Sequence, residues 1–253
     1  TEELDIGASA YYMSSNSDDP QGAENPFFTL MFMSPMANLM ADNPDGEPYD
    51  IQPDPRANEG NPLYHARNSG YDNNRDRLQG AFHLDWTPYT WLTFQAAFGY
   101  DKLDRFDTEY YPFGYKSVDN QNSPTGYYGR FHYINEAFNT DLTMRVFKKF
   151  GDLSTKNTFR FHNEGSDYQY TGAWGENLAT NGIKDLGIVD ADKNGVNSSQ
   201  TAVRSVGYYW ESTFDYQEKY MANLMLRYDG SSLFGEDERF HLYNDHGDYD
   251  PVI

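Results

Sequence analysis

The chain has 253 residues and no cysteine, and its 19 basic and 39 acidic side chains give a formal net charge of −20. That balance excludes nucleic acid as a partner, because phosphate binding needs clustered Lys and Arg. The missing thiols exclude disulfides and thiolate metal sites. Aromatic residues are 17% of the chain, with 22 Tyr, 17 Phe, 21 Gly and 12 Pro, yet the mean hydropathy is only −0.84. Such a composition favours strands and turns over helices. No apolar run approaches the roughly 18 residues of a membrane-spanning helix. A barrel strand needs only about 9–11 residues, apolar at alternate positions, so a membrane barrel stays compatible with this hydropathy.

The N-terminal Thr1-Glu2-Glu3-Leu4 has neither a basic nor an apolar region, so no signal peptide is expected in this stretch. A weak period-two alternation runs from Leu4 to Tyr12, followed by a long polar segment at about 14–76. Strong alternation then covers Leu78–Trp86, a tight turn at Trp86–Trp91, and Trp91–Asp101, where Leu92, Phe94, Ala96, Phe98 and Tyr100 oppose Thr93, Gln95, Ala97, Gly99 and Asp101. A second long segment spans about 103–132. Weaker strands at Phe138–Phe147 and Phe159–Glu164 flank a tight turn at Phe150–Thr155, and a third long segment spans about 169–201. Val206–Tyr216, the tight turn Asp215–Tyr220 and Tyr220–Asp229 complete roughly seven strands. Short turns alternating with long loops are rare in compact soluble domains and usual in outer-membrane barrels. Trp86, Tyr89, Trp91, Phe147, Phe150, Phe214, Tyr216 and Tyr220 crowd the short turns, as an interfacial aromatic girdle would.

Candidate chemistry is sparse. Asp190, Asp192 and Asn194, followed by Gly195, match the opening of a calcium loop, but Thr201 stands where a bidentate Glu is needed and no flanking helices are expected. An Asx-rich turn is the favoured reading, with a loop-stabilising Ca2+ as the alternative. Tyr127, Tyr128, Tyr168, Tyr170 and Trp174 are expected on extracellular loops, where aromatic faces beside polar neighbours grip a sugar ring or peptide side chain, or else pack loop against loop. His83, Asp85, Gln95, Asp101, Asp141 and Arg145 are expected on an inward polar face, together with Arg160, His162, Glu164, Glu211, Asp215 and Arg227. No phosphate loop, nucleophile elbow or histidine spacing for a metal is present, so enzymatic activity is not expected.

The string Lys219–Gly235, which holds Arg227, Tyr228, Asp229, Gly230, Ser231, Ser232, Phe234 and Gly235, resembles the strand-and-loop signature of the SusC/RagA family of TonB-dependent transporters. Asn61–Tyr64, Asp72–Arg77, Trp91–Thr93 and Tyr110–Tyr115 are similar to that family in content and order, so the resemblance covers about residues 60–240. It implies an all-β fold: an antiparallel transmembrane β-barrel portion, about seven strands of a larger barrel, with long extracellular loops. Residues 1–253 would then be a partial TonB-dependent receptor barrel domain, without the plug and the remaining strands. His241–Ile253 departs from the family's next strand and reads as charge and turns. The resemblance further implies residence in the outer membrane of a Gram-negative, Bacteroidetes-like cell. It implies import of glycans, oligosaccharides or peptides, energy from the TonB complex, a SusD-like surface lipoprotein as lid, and outer-membrane lipid around the wall. Two other readings stand beside it: a structural or assembly component of a larger envelope complex, and a soluble carbohydrate-binding β-protein.

Overall fold

A computed structural model of the chain describes residues 3–18, 26–44, 46, 48–116, 118 and 124–244. Eight strands follow one another in a single antiparallel sheet in which every neighbour in space is a neighbour in sequence. They are β1 (Glu3–Ser17), β2 (Gly70–Tyr89), β3 (Leu92–Tyr111), β4 (Tyr127–Phe150), β5 (Leu153–Glu176), β6 (Asn194–Tyr216), β7 (Tyr220–Ser231) and β8 (Phe240–Asn244). Two short helices, α1 (Pro26–Met31) and α2 (Pro62–Asn68), lie in the β1–β2 connection. The count of seven strands is therefore one short. The missed strand is β8, in a stretch read from sequence as charge and turns; residues 245–253 of that stretch lie outside the described residues.

The expected tight turns are present. Phe150 pairs with Leu153 across Gly151 and Asp152, with Gly151 at φ 61°, and Tyr216 pairs with Tyr220 across Gln217, Glu218 and Lys219, with Gln217 and Glu218 at φ 55° and 57°. At the other end the connections are shorter than the sequence suggested, because the strands continue into segments read as loops. β4 and β5 are each 24 residues long, about 80 Å at the usual rise, whereas about 9–11 residues cross a bilayer. The physical reason lies in what the outer face meets. Above Tyr100 on β3 and Phe138 on β4, that face carries the ion pairs Lys102–Glu136 at 2.7 Å and Asp167–Arg204 at 2.5 Å, and His132 Nε2 lies 2.7 Å from Asp104. Alternation of apolar with polar is legible only where one face meets lipid; with water on both faces the strand persists and its pattern fades.

Register carries the two faces across the sheet. Leu84, Ala96, Leu142, Phe161, Tyr208 and Tyr228 form one cross-strand row on the apolar face. On β3 the apolar band runs from Leu92 to Tyr100, about 31 Å along the strand and roughly 23 Å high at a usual barrel tilt, close to the apolar band of outer-membrane barrels. This face is not a core: Phe98 and Leu224 are 44% and 42% exposed. Among the described residues the buried apolar side chains are Met33, Ala57, Tyr64, Tyr110, Tyr115, Tyr128 and Leu178, all in loops or at the long-loop end of the strands. A soluble sandwich would bury Phe94, Phe98, Leu224 and Leu226 against a second layer, and among the described residues the sheet has none. Of the girdle aromatics, Trp86, Phe150, Phe214, Tyr216 and Tyr220 lie on the apolar face, whereas Phe147 has the parity of the polar one.

Two connections are folded against the sheet. In the β1–β2 loop, the fully buried Asn61 caps α2 by accepting from the Leu63 N–H at 3.0 Å, and its amide donates to the carbonyls of Leu39 and Asp50, both at 2.8 Å. Helix α2 then presents Tyr64 and His65 to the β3–β4 connection: His65 Nδ1 is 2.6 Å from the Tyr115 hydroxyl, and the Lys116 N–H donates to the Tyr64 hydroxyl at 3.0 Å. The β5–β6 loop folds the other way, over the outside of the wall. Leu178, with Leu186, Ile188 and Val189, packs on Tyr110 and Tyr128, and the Tyr110 hydroxyl is tied to Asn181 at 2.9 Å and to the Gly182 N–H at 2.8 Å.

Candidate substrate-binding wall

The polar face gathers every residue assigned to it by alternation. Register places His83, Asp85, Gln95, Asp101, Asp141, Arg145, Arg160, His162, Glu164, Glu211, Asp215 and Arg227 on one side of the sheet. Several of these charges are paired, across strands or along one. Arg160 donates to Asp141 at 2.8 and 2.5 Å, and His162 bridges Asp141 at 3.1 Å and Glu164 at 3.5 Å. Gln95 links Asp85 to Arg145. Two depressions open on this face. One of about 1040 Å³ is lined by His83, Asp141, Arg160, His162, Arg227 and Phe234; the other, of about 740 Å³, by small residues such as Ser9, Ala81, Gly99, Ala137 and Ser166.

Aromatic side chains occupy the long-loop end of the same face. Tyr111 stacks on Tyr115 with centroids 4.3 Å apart and meets Tyr127 at 5.5 Å; Tyr127 meets Trp174 at 6.4 Å, and Tyr133 meets Tyr170 at 5.0 Å. Trp174 lies over Gly195, where a Cβ would sit 2.7 Å from the indole, so only glycine lets the ring lie flat on the wall. Burial, with the carboxylate of Glu109 nearby, pushes the Tyr127 phenol up; this residue stands well above the apolar band and remains a neutral hydrogen-bond donor.

The sequence-derived candidates divide on this geometry. Tyr127, Tyr168, Tyr170 and Trp174 share the polar face, but on strands β4 and β5 rather than on loops. Tyr128 has the opposite parity and is buried beneath the β5–β6 loop, where it packs loop on wall. Tyr71, Arg75, Arg105, Tyr111 and Tyr133 belong to the wall and were missed; carrying the parity of Thr93–Asp101 upward through β3 would have found Arg105 and Tyr111.

Asp190, Asp192 and Asn194 form a turn closed by its own hydrogen bonds. One Asp190 oxygen accepts from the Asp192 N–H at 2.9 Å and the other from the Asn177 amide at 3.2 Å, while the Asn194 amide donates to the carbonyls of Asp190 and Ala191. The Asp192 N–H, then Asn177, hold the Asp190 carboxyl below the usual carboxylate range. Among the described residues no three His, Asp or Glu side chains gather as a metal-ligand set.

The signature string forms the passage from β7 to β8. Arg227, Asp229 and Ser231 face the polar side, with Arg227 Nε 2.6 Å from Asp229; Tyr228 and Gly230 face out, and Tyr228 stacks on Phe240 at 5.2 Å. The Ser231 N–H donates to the Arg239 carbonyl at 2.9 Å, Ser232 exchanges 2.9 Å bonds with Arg204, and Phe234 then Gly235 lead into a 3-10 turn at Glu236–Glu238.

No family model matches the chain. It is 21% identical over 197 residues to the TonB-dependent receptor P26 of Formosa agariphila, a match covering 72% of this chain and 19% of that protein. In fold it is similar to the RagAB peptide transporter, with a TM-score of 0.72 at 13% identity over 94% of this chain and 27% of the other. The open-open state of the RagAB peptide importer gives 0.66 at 14% identity over 95% and 27%. The chain thus spans about a fifth to a quarter of the length of the proteins it matches. These relatives are receptors and transporters, not enzymes. The chain therefore shares the antiparallel fold of part of the RagAB transporter and is similar in sequence to a TonB-dependent receptor, in line with its resemblance to the SusC/RagA family.

Proposed function

We propose that this wall belongs to an importer that carries oligosaccharides, glycans or peptides across the outer membrane, with energy from the TonB complex and a SusD-like lipoprotein as a surface lid. The observation that carries the reading is the coincidence, on one sheet, of a lipid-compatible outer face and a hydrated inner face crowned by aromatic rings. The solved relatives are peptide transporters, and the curated relative is a TonB-dependent receptor, which supports the transport class while leaving the solute to be tested. The β1–β2 loop exposes Phe27, Met31, Phe32 and Met36, an apolar patch of the sort that a lid would cover.

Uptake decides the matter. A strain lacking the gene, complemented with the intact protein, is expected to regain accumulation of labelled oligosaccharide or oligopeptide, and to lose it when TonB is deleted. Accumulation unchanged by deleting either gene would refute the importer reading and favour a structural role in the envelope.

A further inference from the structure

Among the described residues, one guanidinium on the inner wall holds no partner. Arg75 sits on the polar face of β2, directly across from Arg105 of β3 and two residues from Arg77. Like charges facing each other on a sheet destabilise it unless something offsets them. Two of the three are offset. Arg77 grips Asp101 through Nε at 3.0 Å and Nη2 at 2.5 Å; Arg105 grips the buried Asp107 through Nε at 2.9 Å and again through Nη2, and Asn73 adds a 2.5 Å bond to the same carboxylate. Higher on β3, Glu109 is held by the Tyr111 hydroxyl. Arg75 has neither an ion pair nor a hydrogen bond among the described residues, and its Nε is buried without an acceptor. An unpaired, part-buried guanidinium among two others is costly and is stabilised by an anion with oxygen acceptors, whose geometry its planar fork matches.

The same cross-strand row extends from this charge to the rings. Ser15, Arg75, Arg105, Tyr133, Tyr170 and Ser199 are consecutive register partners from β1 to β6. Arg105 lies over the Tyr133 ring at 5.0 Å, and Tyr133 packs on Tyr170. From Arg75 to Tyr170 is three strand spacings, roughly 14 Å, the reach of a few linked sugar rings. Its partner on the β1 side, Ser15, is small and exposed, and Arg75 itself is part-exposed.

We infer that this row is a subsite for an acidic oligosaccharide, with a carboxylate or sulfate on Arg75 and a sugar ring against Tyr133 and Tyr170. Arg77 and Arg105 remain bound to their own carboxylates and are neutralised by them. Charge selection thus comes from one residue and ring selection from two. The inference rests on the importer reading above and specifies its solute.

Isothermal titration of the intact protein in detergent with tetragalacturonate and with maltotetraose tests it. The acidic probe is expected to bind about tenfold or more tightly than the neutral one at low salt, and Arg75→Gln is expected to remove about tenfold of that affinity. Arg75→Lys, which keeps the charge and loses the fork, is expected to fall between, and serves if the Gln variant does not fold. Equal affinity for the two sugars, or an Arg75→Gln variant that binds as the native protein does, would overturn the subsite. Tighter binding of tetraglutamate than of tetragalacturonate would overturn the sugar assignment. Unchanged binding with a lowered unfolding temperature would place Arg75 in packing against another part of the protein and overturn it too. Because binding is read without TonB, intact binding with absent uptake sinks the importer reading instead.

Discussion

Ala96 and Ala97 are adjacent on β3, identical in side chain, and face opposite ways. Ala96 stands in the middle of the apolar band, between Leu84 and Leu142; Ala97 stands on the polar face between His83 and Asp141. Arginine at Ala96 would put a guanidinium near the bilayer midplane, which costs about 2–4 kcal/mol in outer-membrane barrels, or roughly 30- to 700-fold in the folding equilibrium. At Ala97 the same arginine enters water beside Asp141 and is expected to cost within about 0.5 kcal/mol. Urea titration of the intact barrel folded into lipid bilayers, read by the heat-dependent gel migration of the folded form, measures both. Ala96→Arg is expected to be the damaging change by at least about 1.5 kcal/mol. Equal losses, or a larger loss for Ala97→Arg, would refute the assignment of faces.

Asn61→Ala removes the cap of α2 and leaves the Leu39 and Asp50 carbonyls without their donor. A local loss of about 2–3 kcal/mol is expected, seen as faster proteolysis within the β1–β2 connection, with the barrel's own unfolding unchanged. Gly195→Ala drives a methyl into the Trp174 indole; the ring is expected to lift from the wall, shifting the tryptophan emission and weakening any sugar that stacks there. The Asp190 carboxyl is depressed by the hydrogen bonds of its turn, so its stabilising effect is present above the ordinary aspartate range and is lost as pH falls through the lowered value. Amide exchange at Asp192 is expected to quicken only in acid, and calcium titration is expected to give no saturable heat, because both Asp190 oxygens already accept hydrogen bonds. Saturable calcium heat abolished by Asp190→Asn would reverse that reading.

The membrane-facing part of the fold was legible because lipid on one side and water on the other enforce a strict period of two. Leu92–Tyr100 and Tyr220–Tyr228 carry an apolar residue at every outward position, and so their faces were assigned correctly. Where β3 and β4 rise above the bilayer, Lys102, Asp104 and Glu136 replace the outward apolar residues, and the strands read as loops. Strand β8 is five residues long and is defined by its pairing with β7, a tertiary fact that no local pattern carries. The candidate binding wall was half visible. Aromatic enrichment pointed to Tyr127, Tyr170 and Trp174, but it also included Tyr128, whose parity is opposite and whose neighbour Tyr110 is a loop anchor. Arg75 could not be singled out at all, since its meaning depends on Arg77 and Arg105 having found partners while it has none among the described residues.

The claim on which the rest depends is that side chains along each strand alternate between lipid and a water-filled interior. The chain has no cysteine, so single cysteines at positions 92–101 report without background from this segment. Labelling of the intact protein in membranes with a charged, water-soluble maleimide is expected to be rapid at 93, 95, 97, 99 and 101 and slow at 92, 94, 96, 98 and 100. Labelling at equal rates along the run, or fast at the even positions, would contradict the account.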